Sequence, residues 1–356
     1  MNKGERHTAS AQPADMAGMP SLDHIKESRY IKSLHLDIHH LQENMKALRY
    51  LKALADETRL RLALVLFHYE LSVNELVALL NMGQSRISRH LKILTEAGLL
   101  HSRRDGLWVF YSAESEGPGH EFLKSVMPWM LDDEAGRADL DSAARIIEER
   151  TMKTRQFFND IADDWDEMNR EILGEFSLPE VILNAVHENC GVAADLGCGT
   201  GEVLEHLRGA CRELIGVDGS PRMLELARHR FDDHMEGISL RIGELDHLPL
   251  RDGEADFICI NLVLHHLSRP SAALGEIARV LYPGGLVLIT DFDQHLQETM
   301  RTSYGDRWLG FSLDDLSAAM ARVGLSVVDY RRQPVKKGLA LHLILAKKSA
   351  LQPAKD

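Results

Sequence analysis

The sequence predicts two domains, a mainly α winged helix-turn-helix unit followed by an α/β unit built on a Rossmann-like sheet of seven strands. Three observations carry that expectation. A chain of 356 residues is long enough to bury two separate cores. Between residues 46 and 112, apolar residues recur at helical spacing through three successive segments. They then flank Asp105-Gly106, a dipeptide that favours a tight hairpin by supplying positive φ. From Val192 onward short apolar runs alternate with helical patterns, and the first run leads through Asp195-Leu196-Gly197-Cys198-Gly199-Thr200-Gly201 into a helix start at Val203, Leu204 and Leu207.

Residues 1–20 mix Gly4, Pro13, Gly18 and Pro20 with small polar residues and are expected to form a disordered tail. The first domain is placed over 21–113. It opens on a helical segment where Ile31, Leu34, Ile38, Leu41, Met45 and Leu48 form an a/d seam under three heptads long. Such a seam serves either a dimer or packing within its own domain. His35, His39 and His40 lie on the same segment without a carboxylate or thiol partner, and read as a solvated face.

Next come three helices and a ribbon. Leu60, Leu62, Leu64, Val65 and Leu66 mark a core helix, and Ser72 caps a second that turns Leu76, Leu79 and Leu80 inward. After the Asn81-Met82-Gly83 turn, Ile87, Leu91 and Leu94 face the core of a third helix. Gln84, Ser85, Arg86, Arg89 and Lys92 then point outward. Residues 81–112 carry five basic residues, Arg86, Arg89, Lys92, Arg103 and Arg104, against Glu96 and Asp105, within a chain of net charge −13. The total argues against a protein that coats nucleic acid. The local excess suits a recognition helix on base edges of double-stranded DNA, with Arg103 and Arg104 of the wing on phosphate.

Leu54-Ala55-Asp56-Glu57-Thr58-Arg59-Leu60, Ser88-Arg89-His90-Leu91-Lys92 and Glu96-Ala97-Gly98-Leu99 resemble the ArsR/SmtB repressors across about 45–113. The resemblance implies a homodimer that sits on a palindromic operator and leaves when an effector binds. Ser72 and Asn74 stand where arsenic-sensing members carry paired cysteines, and His120 stands nearly alone after the wing. No metal site is therefore expected.

Residues 114–154 read as a helical linker, and the repressor resemblance implies that the helix after the wing completes a dimer. One short helix is marked by Phe122, Val126 and Met130, and another by Ala144, Ile147 and Met152. The second domain is placed over 155–348 and a tail over 349–356. Its strands are expected near Val192–Leu196, Glu213–Val217, Ile238–Ile242, Asp256–Asn261, Leu286–Thr290, Ser326–Arg331 and Leu341–Ala346, with the last pair reversed. The glycines read G-x-G-x-G directly after an acid, and the second strand runs into Asp218, where a carboxylate can take both hydroxyls of a ribose. Nothing downstream supplies a second mononucleotide half.

Val217-Asp218-Gly219-Ser220 with Met223-Leu224, Gly243-Glu244 before Leu248-Pro249, Asn261 through His266, and Arg279-Val280-Leu281-Tyr282-Pro283-Gly284-Gly285 resemble the class I S-adenosylmethionine-dependent methyltransferases, especially those of menaquinone and ubiquinone biosynthesis. Phe157-Phe158 through Trp165-Asp166 resembles the helix that lids their cofactor. The resemblance implies S-adenosylmethionine or S-adenosylhomocysteine bound by Asp195, Gly197, Gly199, Gly201, Asp218, Gly219, Met223, Glu244, Leu245 and Asn261. Within that set Asp218 would take the ribose, Glu244 and Leu245 would meet the adenine, and Asp195 would orient the loop and the amino group. Should chemistry occur, His265, His266, Asp291 and His295 are the candidate bases. No residue set names an acceptor.

The four cysteines, Cys190, Cys198, Cys211 and Cys259, form no C-x-x-C pair, which fits reduced thiols in a cytoplasmic protein. No apolar run has transmembrane length. The fusion resembles ArsR-type regulators joined to a methyltransferase domain, some similar to sensors of S-adenosylhomocysteine in the methionine cycle. That implies a repressor with a nucleoside effector. The alternative is an active small-molecule methyltransferase that also regulates its own promoter.

Overall fold

The computed structural model describes residues 45–131, 134–187, 190–232 and 234–349. The seam at Ile31, Leu34, Ile38 and Leu41, and both expected tails save Ser349, lie outside the described residues. Met45 and Leu48 fall on helix α1, 45–54, which buries Tyr50, Ala53 and Leu54 and leaves Met45, Leu48 and Leu51 exposed.

Helix α2 (Glu57–His68) starts where the Asp56 carboxylate accepts the Arg59 N–H at 3.1 Å. After strand β1 (Leu71–Ser72), Ser72 and Glu75 form a reciprocal capping box that starts α3 (Val73–Leu80). Asn81, in the left-handed region, turns the chain into α4 (Gln84–Ala97). Strands β2 (Leu100–Asp105) and β3 (Trp108–Ala113) make the wing, with β1 as the third strand in the order β1-β3-β2. Leu62, Leu76, Ile87, Leu91 and Leu94 are fully buried between the helices, so the apolar spacing and the packing agree.

Two helices lead out of this domain, α5 (Gly117–Met130) and α6 (Glu134–Ile161). The sequence suggests a short second linker helix and a separate lid, but the linker helix and the lid as far as Ile161 are parts of α6, which is 28 residues long, and Trp165-Asp166 begin the next helix. No glycine or proline interrupts it after Gly136. Asp139, Ala143, Ile147 and Arg150 form its buried stripe.

The second domain continues through α7 (Trp165–Leu173), α8 (Leu178–Ala185), β4 (Val192–Leu196), α9 (Glu202–His206), β5 (Glu213–Asp218), α10 (Pro221–Phe231), β6 (Ile238–Ile242) and β7 (Ala255–Asn261). It closes with α11 (Pro270–Val280), β8 (Leu281–Phe292), α12 (Thr299–Ser303), α13 (Leu313–Arg322), β9 (Leu325–Pro334) and β10 (Ala340–Lys348). The seven strands lie in the order β6-β5-β4-β7-β8-β10-β9. Pairing is parallel from β6 to β8, and β10 inserts antiparallel between β8 and β9. Apolar clusters cover both faces of the sheet, as a parallel sheet requires. The carboxyl ends of β4, β5 and β7 therefore open at one edge, at Leu196, Asp218 and Asn261.

Candidate functional site

The loop after β4 is shaped by what lies behind it. At Gly197 φ is +75°, and a Cβ there would lie 2.5 Å from the Val263 side chain, so only glycine fits. The N–H groups of Gly197 and Cys198 bond to the Val217 carbonyl at 2.8 and 3.0 Å, tying the loop to the end of β5. Asp218 completes the tie, accepting from the Gly199 N–H at 2.9 Å and from the Ser220 N–H at 2.8 Å. Burial pushes its carboxyl upward, against these two backbone donors.

The loop forms one wall of a cavity of about 270 Å³. Asp195, Gly197, Gly199, Asp218, Gly219, Met223, Glu244, Leu245 and Asn261 all line it. Gly201 does not. It sits at φ +82° before α9, where a Cβ would press at 3.2 Å on Ala227 and Phe231, so its place is in helix packing. Asp195 is buried and receives the Cys259 S–H at 3.3 Å. Desolvation pushes its carboxyl up to about 7, and the charge of Asp218 adds to that. The Asn261 amide lies close enough to Asp195 to oppose this shift, yet neither of its buried amide atoms completes a hydrogen bond. A buried amide facing a cavity without partners is positioned for a polar ligand.

The opposite wall comes from α6 and α7. Thr151, Thr154, Arg155, Phe158 and Trp165 line it, and Phe158 meets both Trp165 and His266 edge to face. Glu244, expected on the adenine, has its carboxylate paired with Arg155 of α6. The Ser220 hydroxyl donates to the Asn159 side chain at 2.6 Å. Thr200 of the loop donates to Asp166 at 2.6 Å. The lid is thus pinned to the loop it covers.

Of the four candidate bases, only His266 reaches the cavity. Its Nδ1 lies 3.1 Å from the Gly305 carbonyl, and burial, reinforced by His265, holds its pKa well below the usual imidazole range. His265, Asp291 and His295 must be taken out of the site. His265 Nδ1 lies 2.7 Å from Asp291 Oδ1, and both side chains are buried behind the cavity wall. The adjacent positions 265 and 266 point to different sides of one short turn, and sequence spacing alone does not say which faces in. His295 is half-buried off the cavity, its pKa lowered to about 4 by desolvation and then by the nearby His265.

In the first domain Gln84, Ser85, Arg86, Arg89 and Lys92 are exposed along α4, and Arg104 is exposed on the wing. Arg103 departs from expectation. Its guanidinium lies 4.3 Å from the Trp308 ring centre and pairs with Glu70 at 3.4 Å. The wing tip is docked on the second domain, a contact that nothing in the sequence signals. Asp105 is buried, accepting from the Leu309 N–H at 3.0 Å and pairing with Arg301 at 3.0 Å. The Leu107 N–H donates to Glu298 at 2.9 Å, and Phe110 packs on Trp308 with ring centres 4.7 Å apart.

Helix α6 joins the same two regions by another route. Asp139 takes a two-pronged bond from Arg61 of α2 at 2.6 and 2.7 Å, and Arg150 donates to Glu75 of α3 at 2.7 Å. About one and a half and two turns further on, Arg155 and Phe158 line the cavity.

A helix-turn-helix with an exposed basic recognition helix, joined to a sheet whose glycine loop opens on a cavity, defines a DNA-binding unit fused to a class I methyltransferase fold. Comparison with known proteins agrees. Residues 56–102 match the bacterial regulatory protein family arsR, and residues 194–289 match the methyltransferase domain. The chain is similar to an uncharacterized 37.1 kDa protein of a Streptomyces fradiae transposon, 37% identical over 33% of this chain and 35% of that one. It is 29% identical to demethylmenaquinone methyltransferase of Staphylococcus aureus over 43% of this chain and 65% of that enzyme. To malonyl-[acyl-carrier protein] O-methyltransferase of Yersinia pestis it is 34% identical over 33% and 41%. The chain thus spans between about a third and two thirds of the length of these relatives. Among solved structures, N-methyltransferase NodS of Bradyrhizobium japonicum, in complex with S-adenosyl-L-homocysteine, aligns with TM-score 0.47 at 17% identity over 55% of this chain and 98% of that one. Among the described residues no helix is long and apolar enough to cross a membrane.

Proposed function

We propose that the chain is a DNA-binding transcriptional regulator of the repressor kind, dimeric and cytoplasmic, whose methyltransferase-fold domain binds S-adenosylhomocysteine or S-adenosylmethionine as effector. The observation that carries this reading is α6, a single helix bonded to α2 and α3 of the DNA-binding unit at one end and lining the ligand cavity at the other. Asp218 and Gly219 would hold the ribose, the Gly197–Gly199 backbone and Asp195 the amino-acid part, and Leu245 and Met223 the adenine. The orphaned Asn261 amide and the Gly197 cradle fit such a polar, flat ligand. An adenine that engages Glu244 must draw it from Arg155. That ion pair is partly exposed, so exchanging its partner costs about 1 kcal/mol or less, and the exchange frees α6 at its cavity end.

The test is fluorescence anisotropy on DNA from the chain's own upstream region, with and without each nucleoside. We expect at least a fivefold change in operator Kd with one nucleoside, a coupling of about 1 kcal/mol. Operator affinity indifferent to both nucleosides would defeat the sensor reading.

A second reading, an active small-molecule methyltransferase that also autoregulates, is favoured by His266. It is held neutral by burial and lines the cavity together with Asn261. Bound S-adenosylmethionine supplies an electrophilic methyl group, and His266 Nε2 would take the acceptor's proton. Methyl transfer that survives in the His266→Ala variant would remove that role.

A further inference from the structure

Behind the cavity wall His265, His266 and Asp306 bring three metal-ligating atoms within 4.8 Å of one another, all on buried residues. Their hydrogen bonds fix the tautomers. A carbonyl oxygen can only accept, so His266 Nδ1, 3.1 Å from Gly305 O, carries the proton and Nε2 keeps a lone pair. The bond from His265 Nδ1 to Asp291 at 2.7 Å places a proton on that nitrogen and turns Nε2 toward Asp306, where it holds either a second proton or a cation. Asp306 approaches that Nε2 to 3.6 Å, and neither of its buried oxygens makes a hydrogen bond.

The local charge balance leaves room for a cation. Asp105, Asp291 and Asp306 are all nearly or fully buried here; Asp105 is paired with Arg301 at 3.0 Å and with Arg103 at 3.8 Å, whereas Asp291 and Asp306 pair with His265. Three carboxylates against two guanidinium groups leave one negative charge. A proton on His265 or a metal cation can balance it, and buried carboxylates do not stay uncompensated.

We propose that His265 Nε2, His266 Nε2 and Asp306 bind a divalent transition-metal ion of the zinc class, with Asp291 and the Gly305 carbonyl orienting the two imidazoles; the metal-bound His266 would then not serve as a base, so the site goes with the sensor reading. Two histidines and a carboxylate, each histidine tied by its other nitrogen to an oxygen, is a donor set that suits zinc and leaves a coordination position open. His266 lines the cavity, so the ion is reached from the nucleoside side. Asp306 belongs to the segment that grips the wing through Arg301 and Trp308. Binding would therefore lock that segment against the His265–His266 turn and stiffen the wing's seat.

The full chain, stripped with chelator, is titrated with zinc chloride by calorimetry and followed by thermal unfolding. With 18 histidines in the chain, loose zinc binding elsewhere is expected, so the comparison is with Asp306→Asn and His265→Gln. The wild type should bind one zinc equivalent more than either variant, and zinc should raise its Tm but not theirs. Asp291→Asn should keep the site and weaken it about 10–100-fold. Asp306→Asn keeps the shape of the side chain and removes a buried charge, so it tests the ligand without depending on a damaged fold. Equal zinc stoichiometry and equal Tm shifts in wild type and Asp306→Asn would overturn the proposal. So would an Asp306→Asn protein that is more stable than the wild type at every zinc concentration, since a proton would then be the native balance.

Discussion

Asp218 accepts N–H bonds from Gly199 and Ser220, and on the proposed reading it also takes the ribose, so Asp218→Ala would both loosen the loop and remove that acceptor. We expect a loss in nucleoside affinity of about 1.5–3 kcal/mol for each charged bond lost, measured calorimetrically, with ligand-free operator affinity nearly unchanged. Asp195 offers a pH test. Its carboxyl is raised to about 7 in the folded protein, against about 4 when unfolded. Between those values the folded state holds a proton that the unfolded state has released, so stability falls as pH rises and levels off above about 7. Asp195→Asn should therefore raise the Tm of the ligand-free protein more at about pH 8 than at about pH 5. Equal gains at both would show that Asp195 is not desolvated. For the DNA face, Arg86→Ala or Arg89→Ala should cost about 1–3 kcal/mol on operator alone. Arg104→Ala should weaken all DNA and flatten the salt dependence.

Two elements connect the domains, and each has its own expected signature. Helix α6 ends its contact with the DNA-binding unit at Arg150 and begins its contact with the cavity at Thr151, so a shift at one end reaches the other without an intervening loop. Arg155→Ala should leave operator affinity without ligand within about twofold and shrink the ligand's effect on it, because the variant removes the pair that the adenine displaces. An unchanged ligand effect would clear Arg155 of any part in coupling. The wing is the second element. Trp308 is fully buried between Arg103 and Phe110, and Trp308→Ala should destabilise the protein by about 3–5 kcal/mol in thermal or denaturant unfolding. Arg103→Ala should act in the same direction, through lost packing and a stranded Glu70, with little change in the salt slope that Arg104 controls.

At the scale of the whole molecule, Met45 and Leu48, the described end of the apolar pattern that the sequence starts at Ile31, are exposed on α1, and two recognition helices are needed to read a palindrome. We expect a dimer by sedimentation at micromolar concentration; a monomer with full operator affinity would refute it. Coupling in such a dimer must be reciprocal, so operator DNA should change nucleoside affinity by the factor by which the nucleoside changes DNA affinity. Much of this molecule follows from local patterns. The helix periodicity, the capping residues Asp56 and Ser72, the Asp105-Gly106 turn and the strand–glycine loop–helix unit are short-range features, and each fixes its own stretch of backbone whatever lies elsewhere. The seven strands, and the gathering of nine of the ten expected cofactor residues along one cavity, were legible for that reason, since loops at the carboxyl ends of parallel strands must converge. Tertiary structure decided the rest. That Gly201 packs against Ala227, that Arg155 holds Glu244, that His266 faces the cavity while His265 turns to Asp291, and that Asp105 and Arg103 are buried against Arg301 and Trp308 all depend on pairs from 26 to about 200 residues apart. No periodicity encodes such partners, because burial and charge pairing are settled only when distant segments meet.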